Sequence, residues 1–345
     1  MITRVLFGVL ESGEKVNAYI MQQGGVTATV LDYGATLQSL LVPAAGGGTA
    51  DVIMGYDELE FYELGTANHG AIVGRYANRI KNSAFTLNGR EYKLTPNSGA
   101  HHLHGVLNKR LFEGEIQGDT LILRRLCPAA EEGFPGNLML EVRYALDGAG
   151  ALNINYSATT DADTVLNITN HSFFNLNGHA SGDVFGHTLY INSDSYTEAD
   201  DEKIPTGKIL SVSGTPLDFR AGKTIGKDIF SDFGSVKQAR GFDHNMIIGG
   251  EAGTLRKAAV ARGDRSGVVL TVYTTQPAAQ LYTANYVEED AAPFGKGGAK
   301  YCAYGAFCFE TQHYPASPNF SDFPSTLLRA GDRFSETTVW KFSLG

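Results

Sequence analysis

Alternation of apolar and polar positions with a period of two runs through much of this chain. Leu138, Leu140, Val142 and Tyr144 alternate with Met139, Glu141 and Arg143, and Leu152, Ile154 and Tyr156 alternate with Asn153 and Asn155. Successive side chains of a strand point to opposite faces, so each run predicts a strand with one buried face. Asp147-Gly148-Ala149-Gly150 lies between them and predicts a hairpin. Asn88-Gly89 predicts a second, joining Ala84-Phe85-Thr86-Leu87 to Arg90-Glu91-Tyr92-Lys93-Leu94. Further strands are predicted after Gly118-Asp119, at Leu121-Ile122-Leu123, and after Gly267, at Val268 to Tyr273.

Helical periodicity is scarce. Asp57 to Glu63 and Lys227 to Ser231 are the best candidates, each about two turns or less. The longest loop-like stretch, Asp194 to Gly226, carries Pro205, Gly207, Gly214 and Pro216, yet strand-like pieces such as Lys208-Ile209-Leu210 interrupt it. No repeat, heptad or clean linker divides the chain. The pattern predicts an all-β fold, a large single-domain antiparallel β-sandwich over residues 1–345.

Charge narrows the function. Lysine and arginine number 28 against 37 acidic residues, a net of −9. That balance argues against nucleic acid and against an anionic membrane surface, and favours a small neutral substrate. The apolar run Val5 to Leu10 is too short for a signal peptide or anchor, so a soluble, cytoplasmic protein is expected, monomer or weak dimer. Cys127, Cys302 and Cys308 cannot form a disulfide framework. On one extended strand Cys302 and Cys308 would lie roughly 20 Å apart, so buried reduced thiols are expected.

Several motifs carry little chemistry. Gly222-Lys223-Thr224 resembles the end of a P-loop, but Leu217 stands where the first glycine belongs. His102 and His104 would share a strand face, as metal ligands do, but Asn108 and Lys109 occupy the positions where a carboxylate ligand would follow. No metal and no cofactor are therefore expected. His69 and His101 read as turn or surface residues, and His313 as a structural hydrogen-bonding residue.

Glu310 is more informative. It follows the apolar Ala306-Phe307-Cys308-Phe309 and precedes Tyr314-Pro315, and an acid at the end of a buried strand is costly without partners or a task. His171 sits within Asn170-His171-Ser172-Phe173-Phe174-Asn175-Leu176, where two rings offer an apolar wall and the amides and hydroxyl offer ways to fix the imidazole. Asp243, in Gly241-Phe242-Asp243-His244-Asn245, organises a turn or accepts from two neighbouring substrate hydroxyls.

These segments, with Gly74-Arg75-Tyr76-Ala77-Asn78-Arg79-Ile80, Leu103-His104-Gly105 and Gln280-Leu281-Tyr282-Thr283-Ala284-Asn285, resemble in order and spacing the aldose 1-epimerases, or galactose mutarotases. The resemblance covers nearly the whole chain. It implies a β-sandwich holding a sugar in an open cleft across one sheet, with Glu310 as catalytic base and His171 as catalytic acid. Substrate contacts fall on Asn78, Arg79, His104, Asp243 and Gln280. Gln276, four residues earlier, is the competitor for that last place, but Gln280 shares a strand face with Tyr282. Two departures are Val106, where a second glycine often follows Leu-His-Gly, and Ala316, where an aspartate often follows Tyr-Pro.

The chemistry so implied exchanges the α and β anomers of free aldohexoses such as galactose and glucose by ring opening and closure. A glutamate with an ordinary pKa of about 4.3 would be ionised at neutral pH. A histidine of about 6.5 would be half-charged, and a nearby Asp243 would help hold its proton. An epimerase of phosphorylated hexoses, a non-catalytic sugar sensor and a glycoside hydrolase using Asp243 with Glu310 are the alternatives.

Overall fold

The computed structural model describes all 345 residues. Three antiparallel sheets carry the architecture. The first is a five-stranded meander built in chain order from Ile2–Val9, Lys15–Gln23, Val26–Leu31, Leu37–Pro43 and Thr49–Asp51. The second has nine strands, ordered Glu113–Gln117, Thr120–Cys127, Leu138–Leu146, Ala151–Thr160, Arg333–Leu344, Val268–Thr274, Arg256–Arg262, Thr188–Ile191 and Lys223–Thr224. The third has six, ordered Phe173–Phe174, Phe307–Gln312, Ala278–Tyr282, Asp243–Ile247, Ser195–Ala199 and Pro205–Ser211.

The predicted hairpins are present. Leu138–Leu146 pairs with Ala151–Thr160, placing Leu146 opposite Leu152 beside the turn. Ala84–Leu87 pairs with Arg90–Lys93 around Asn88 and Gly89, both with positive φ as that tight turn requires. Residues 268–274 form the expected strand after Gly267.

Alternation along the six-stranded sheet separates core from cleft. Phe307 and Phe309, Ala279 and Leu281, and Met246 all enter the largest apolar cluster, where Phe174 meets Trp340 of the nine-stranded sheet edge-on at 4.9 Å. Burying each large side chain of this kind contributes about 1.5–3 kcal/mol. Thr311, on the same face, brings its hydroxyl within 2.5 Å of the Thr338 hydroxyl across the layer. Cys308, Glu310 and Gln312 must therefore point the other way.

Three expectations change. The first helix spans Leu59–Leu64, close to its predicted place, but around Lys227–Ser231 only the 3₁₀ turn Ile225–Lys227 forms. A second helix, Gly234–Ala239, buries only Val236 and Ala239, too few positions to register as periodicity. Strand pieces do interrupt the stretch 194–226, as expected: Ser195–Ala199 and Pro205–Ser211, the latter containing Lys208-Ile209-Leu210, are two strands of the six-stranded sheet. Cys302 is exposed, in the loop before the strand Phe307–Gln312, so only Cys127 and Cys308 are buried thiols.

Two histidines read as turn or surface residues do lie at turns, but both are buried. His69 packs edge-on against Phe173 at 4.6 Å, and the His101 ring accepts the Asn82 N–H at 2.9 Å. Such burial comes from tertiary packing, which local sequence does not reveal. No helix is long and apolar enough to cross a membrane.

Candidate active site

Strand register lays out the cleft floor as a grid. Asp243 faces Tyr282, Tyr282 faces Cys308, and Cys308 faces Phe173. One pleat along, Asn245 faces Gln280 and Gln280 faces Glu310. Directly opposed residues of antiparallel strands point to the same face, so both rows line one surface. Here a cleft of about 290 Å³ opens.

A second unit forms the wall. His102–Leu103 pairs with Arg79–Ile80, setting Leu103 opposite Arg79. Asn78 and His104, just beyond each end, both adopt left-handed backbone (φ 61° and 60°) and lock together. The Asn78 N–H donates to His104 Nδ1 at 3.1 Å, and the His104 N–H donates to the Asn78 carbonyl at 3.2 Å. Gly105 follows with φ +65°, and a Cβ there would lie 2.1 Å from the Gly74 carbonyl oxygen. Only glycine fits that approach, which places the His104 ring.

The cleft gathers all seven positions singled out in the sequence: Asn78, Arg79, His104, His171, Asp243, Gln280 and Glu310. Gln276 is not among them. It is fully buried, with its amide nitrogen donating to the carbonyls of Ile168 at 2.9 Å and Thr311 at 3.1 Å.

His171 Nε2 stands 3.7 Å from Glu310 Oε1, and both residues are almost fully buried. The His171 ring lies against Phe173 at 5.0 Å and meets the His104 ring edge-on at 5.1 Å. Phe173 thus provides the anticipated apolar wall, whereas Phe174 belongs to the core. The polar neighbours act differently from expectation. Asn170 donates to the Gly70 carbonyl, Ser172 to Asn170, and Asn175 to the carbonyls of Gly182 and Gly305. They hold the backbone carrying His171, while the ring itself has Cys308 Sγ at 3.8 Å from Nδ1 and Glu310 beyond Nε2.

Electrostatics also differ from the expectation of a free carboxylate and a half-charged imidazole. Burial pushes Glu310 well above its ordinary value, Asp243 adds to the rise, and Arg79 opposes it. Burial likewise pushes His171 down to about 4; Asp243 favours its charged form, as anticipated, but is outweighed. Both shifts oppose charge, because a low-dielectric site penalises either ion. Asp243 behaves oppositely. Burial alone would raise it, but Lys203, Arg79 and the Gln280 hydrogen bond hold it below the ordinary carboxylate value.

Ligand atoms of His104, His171 and Glu310 lie within 4.8 Å of one another, a spacing suited to a metal. The donor set is unsuited. His104 Nδ1 already accepts the Asn78 N–H, so the neutral ring carries its proton on Nε2 and has no free lone pair for a cation. His104 is neutral because burial, with His171 and Arg79 nearby, holds it well below the usual histidine value. His102 does not pair with it: the strand ends at Leu103, and the His102 ring instead meets the Thr95 carbonyl at 2.8 Å.

Sequence reasoning missed Lys203, Tyr286 and Asp290, which also line the cleft. Asp290 accepts from Thr66 N–H at 2.6 Å and Ala67 N–H at 3.2 Å, tying two wall segments together. Lys203 sits 3.2 Å from Asp243 Oδ2. In the sequence it is one charge within Asp200-Asp201-Glu202-Lys203, indistinguishable from a solvated turn.

A buried carboxyl and imidazole over a floor of polar side chains is suited to moving protons on a neutral polyol. Comparison with known proteins agrees. The profile of the aldose 1-epimerases matches residues 17–341. The chain is 40% identical over 347 residues to the galactose mutarotase of Bos taurus, covering 99% of each, and 34% identical over 329 residues to the aldose 1-epimerase of Escherichia coli K12, covering 94% of each. Its fold is similar to the crystal structure of a GalM/aldose epimerase homologue from C. elegans, with a TM-score of 0.86 and 32% identity over 95% of this chain and 99% of that one. With likeness extending over nearly its full length, the chain belongs to the aldose 1-epimerase family.

Proposed function

We propose that this protein interconverts the α and β anomers of free aldohexoses such as galactose and glucose, with Glu310 and His171 as the proton-transfer pair. The observation that carries this reading is their buried 3.7 Å approach at the cleft floor. Glu310 Oε2 is buried without a partner, an acceptor available to a C1 hydroxyl. Asn78, Arg79, His104, Asp243 and Gln280 hold the remaining sugar oxygens.

In the forward step Glu310 takes the proton of the C1 hydroxyl. The C1–O5 bond breaks as the C1 carbonyl forms, and His171 gives its proton to O5. Rotation about C1–C2 exposes the other carbonyl face, and the same two transfers run backwards to close the ring. The catalytic form is carboxylate with imidazolium. It holds the same single proton as the neutral pair favoured by burial, so shifting one proton between the partners prepares it. Sugar hydroxyls donating to Glu310 favour the ionised form. His104, donating through Nε2, supports the oxygen on which charge develops.

We also infer one domain over residues 1–345, because the largest apolar cluster draws side chains from all three main sheets. Magnetisation exchange between the two anomeric protons of galactose tests the activity: added protein should speed exchange without changing the anomer ratio. Unchanged exchange with folded protein, for both galactose and glucose, would refute it.

A further inference from the structure

We propose that Lys203 is a positioning residue that keeps the Asp243 carboxylate charged and fixed in direction for the sugar; this rests on the reading of Asp243 as a sugar-binding group. The two oxygens of Asp243 are held separately. Oδ1 accepts from Gln280 Nε2 at 2.7 Å, and Oδ2 lies 3.2 Å from Lys203 Nζ. An ionised carboxylate only accepts hydrogen bonds, through about two lone pairs on each oxygen. One acceptor site on each oxygen therefore stays free, a pattern matching two neighbouring sugar hydroxyls. A protonated Asp243 would lose it, because one oxygen would become a donor.

The turn that presents Lys203 is itself braced. Lys203 joins the strands Ser195–Ala199 and Pro205–Ser211, with φ +62°. The Asp200 carboxylate accepts the N–H groups of Glu202 and Ile204, both at 3.0 Å, and the Asp200 carbonyl accepts the Lys203 N–H at 2.9 Å. From there the ammonium reaches Asp243 and lies 4.2 Å from the Tyr286 ring centroid, so it bridges an edge hairpin and the far wall of the cleft. Its charge is shared between a carboxylate and a π-face.

The other charged and titratable groups facing Asp243 are few. Arg79 comes from the wall, His244 is its chain neighbour, and Tyr282 stands opposite in register. Glu310, His171 and Cys308 feel its charge from across the floor. Burial raises the Asp243 carboxyl, and Lys203 is the foremost influence lowering it, ahead of Arg79. Replacing Lys203 by a neutral residue should therefore let Asp243 take up a proton at higher pH.

Galactose binding to the full-length protein, followed by NMR titration across pH, tests this with Lys203→Met and Lys203→Arg. Lys203→Met should weaken affinity about tenfold at pH 7, and the pH below which binding fades should move upward. Lys203→Arg, which keeps the charge, should stay within about threefold of wild type at an unshifted pH. A purely structural lysine would not move that pH. Wild-type affinity and an unshifted fade in Lys203→Met would overturn the proposal. Should the wild type bind galactose with this Lys203 dependence yet leave anomer exchange unchanged, the catalytic reading fails and the role of Lys203 stands. Should it neither bind nor turn over galactose, both fail.

Discussion

Gln280 stands directly opposite Glu310 on adjoining antiparallel strands, so a proposed sugar contact and the proposed base share one pleat of a rigid sheet. Gln276 lies four residues before Gln280, beyond the end of the same strand, and its amide is spent on the carbonyls of Ile168 and Thr311. The two glutamines should differ in KM on truncation. Gln280→Ala should raise KM roughly tenfold, because it removes a cleft amide and the donor to Asp243 Oδ1. Gln276→Ala should leave KM near wild type and cost about 1–3 kcal/mol of stability, because it strips a donor from two buried carbonyls. Steady-state kinetics beside thermal melts separate the two.

In the proposed mechanism, catalysis needs one proton on the Glu310–His171 pair, whichever partner carries it. Acid adds a second proton, with His171 pushed down to about 4; alkali removes the first, with Glu310 pushed well above its ordinary value. The pair should therefore give a bell-shaped kcat/KM profile with a broad plateau, its acid limb near 4 and its alkaline limb above the ordinary glutamate range. A pH–rate series on the wild type checks this. Loss of activity centred at an ordinary histidine value would contradict it.

The same burial implies a stability cost. Glu310 is raised above its unfolded value of about 4.3, so the folded state favours its proton. Its contribution is fully present below that unfolded value and is lost as pH rises through the raised folded one. Glu310→Gln removes the titration. The variant should melt roughly 2 °C or more above wild type at pH 8, with the gap closing toward pH 4. Melting curves at the two pH values decide it.

Chelation should do nothing. His104 Nδ1 is committed to the Asn78 N–H, which leaves a donor at Nε2 rather than a metal-binding lone pair. Exhaustive EDTA treatment should leave the rate of anomer exchange unchanged, and a rate restored only by added zinc or another divalent ion would contradict that tautomer.

Much of this was legible in the sequence, and for definable reasons. Alternation at Leu138–Tyr144 and Leu152–Tyr156 marks strands because burial on one face is a local, period-two property. Asn88-Gly89 marks its turn because positive φ demands those residues. The seven candidate positions stand out as motif segments, and the fold brings all seven to one cleft. What stayed hidden depends on distant partners. Lys203 gains meaning only from Asp243, forty residues away, and His69 only from packing under Phe173. The protonation of Glu310 and His171 is set by burial that no local pattern records.

Polarimetry on freshly dissolved α-D-galactose, comparing buffer, wild type and Glu310→Gln, tests the central claim most directly. The wild type should bring the rotation faster to the same final value as buffer, and Glu310→Gln, folded and still able to bind galactose, should lose about a thousandfold in kcat. A wild type no faster than buffer, or a Glu310→Gln variant as fast as wild type, would contradict the account.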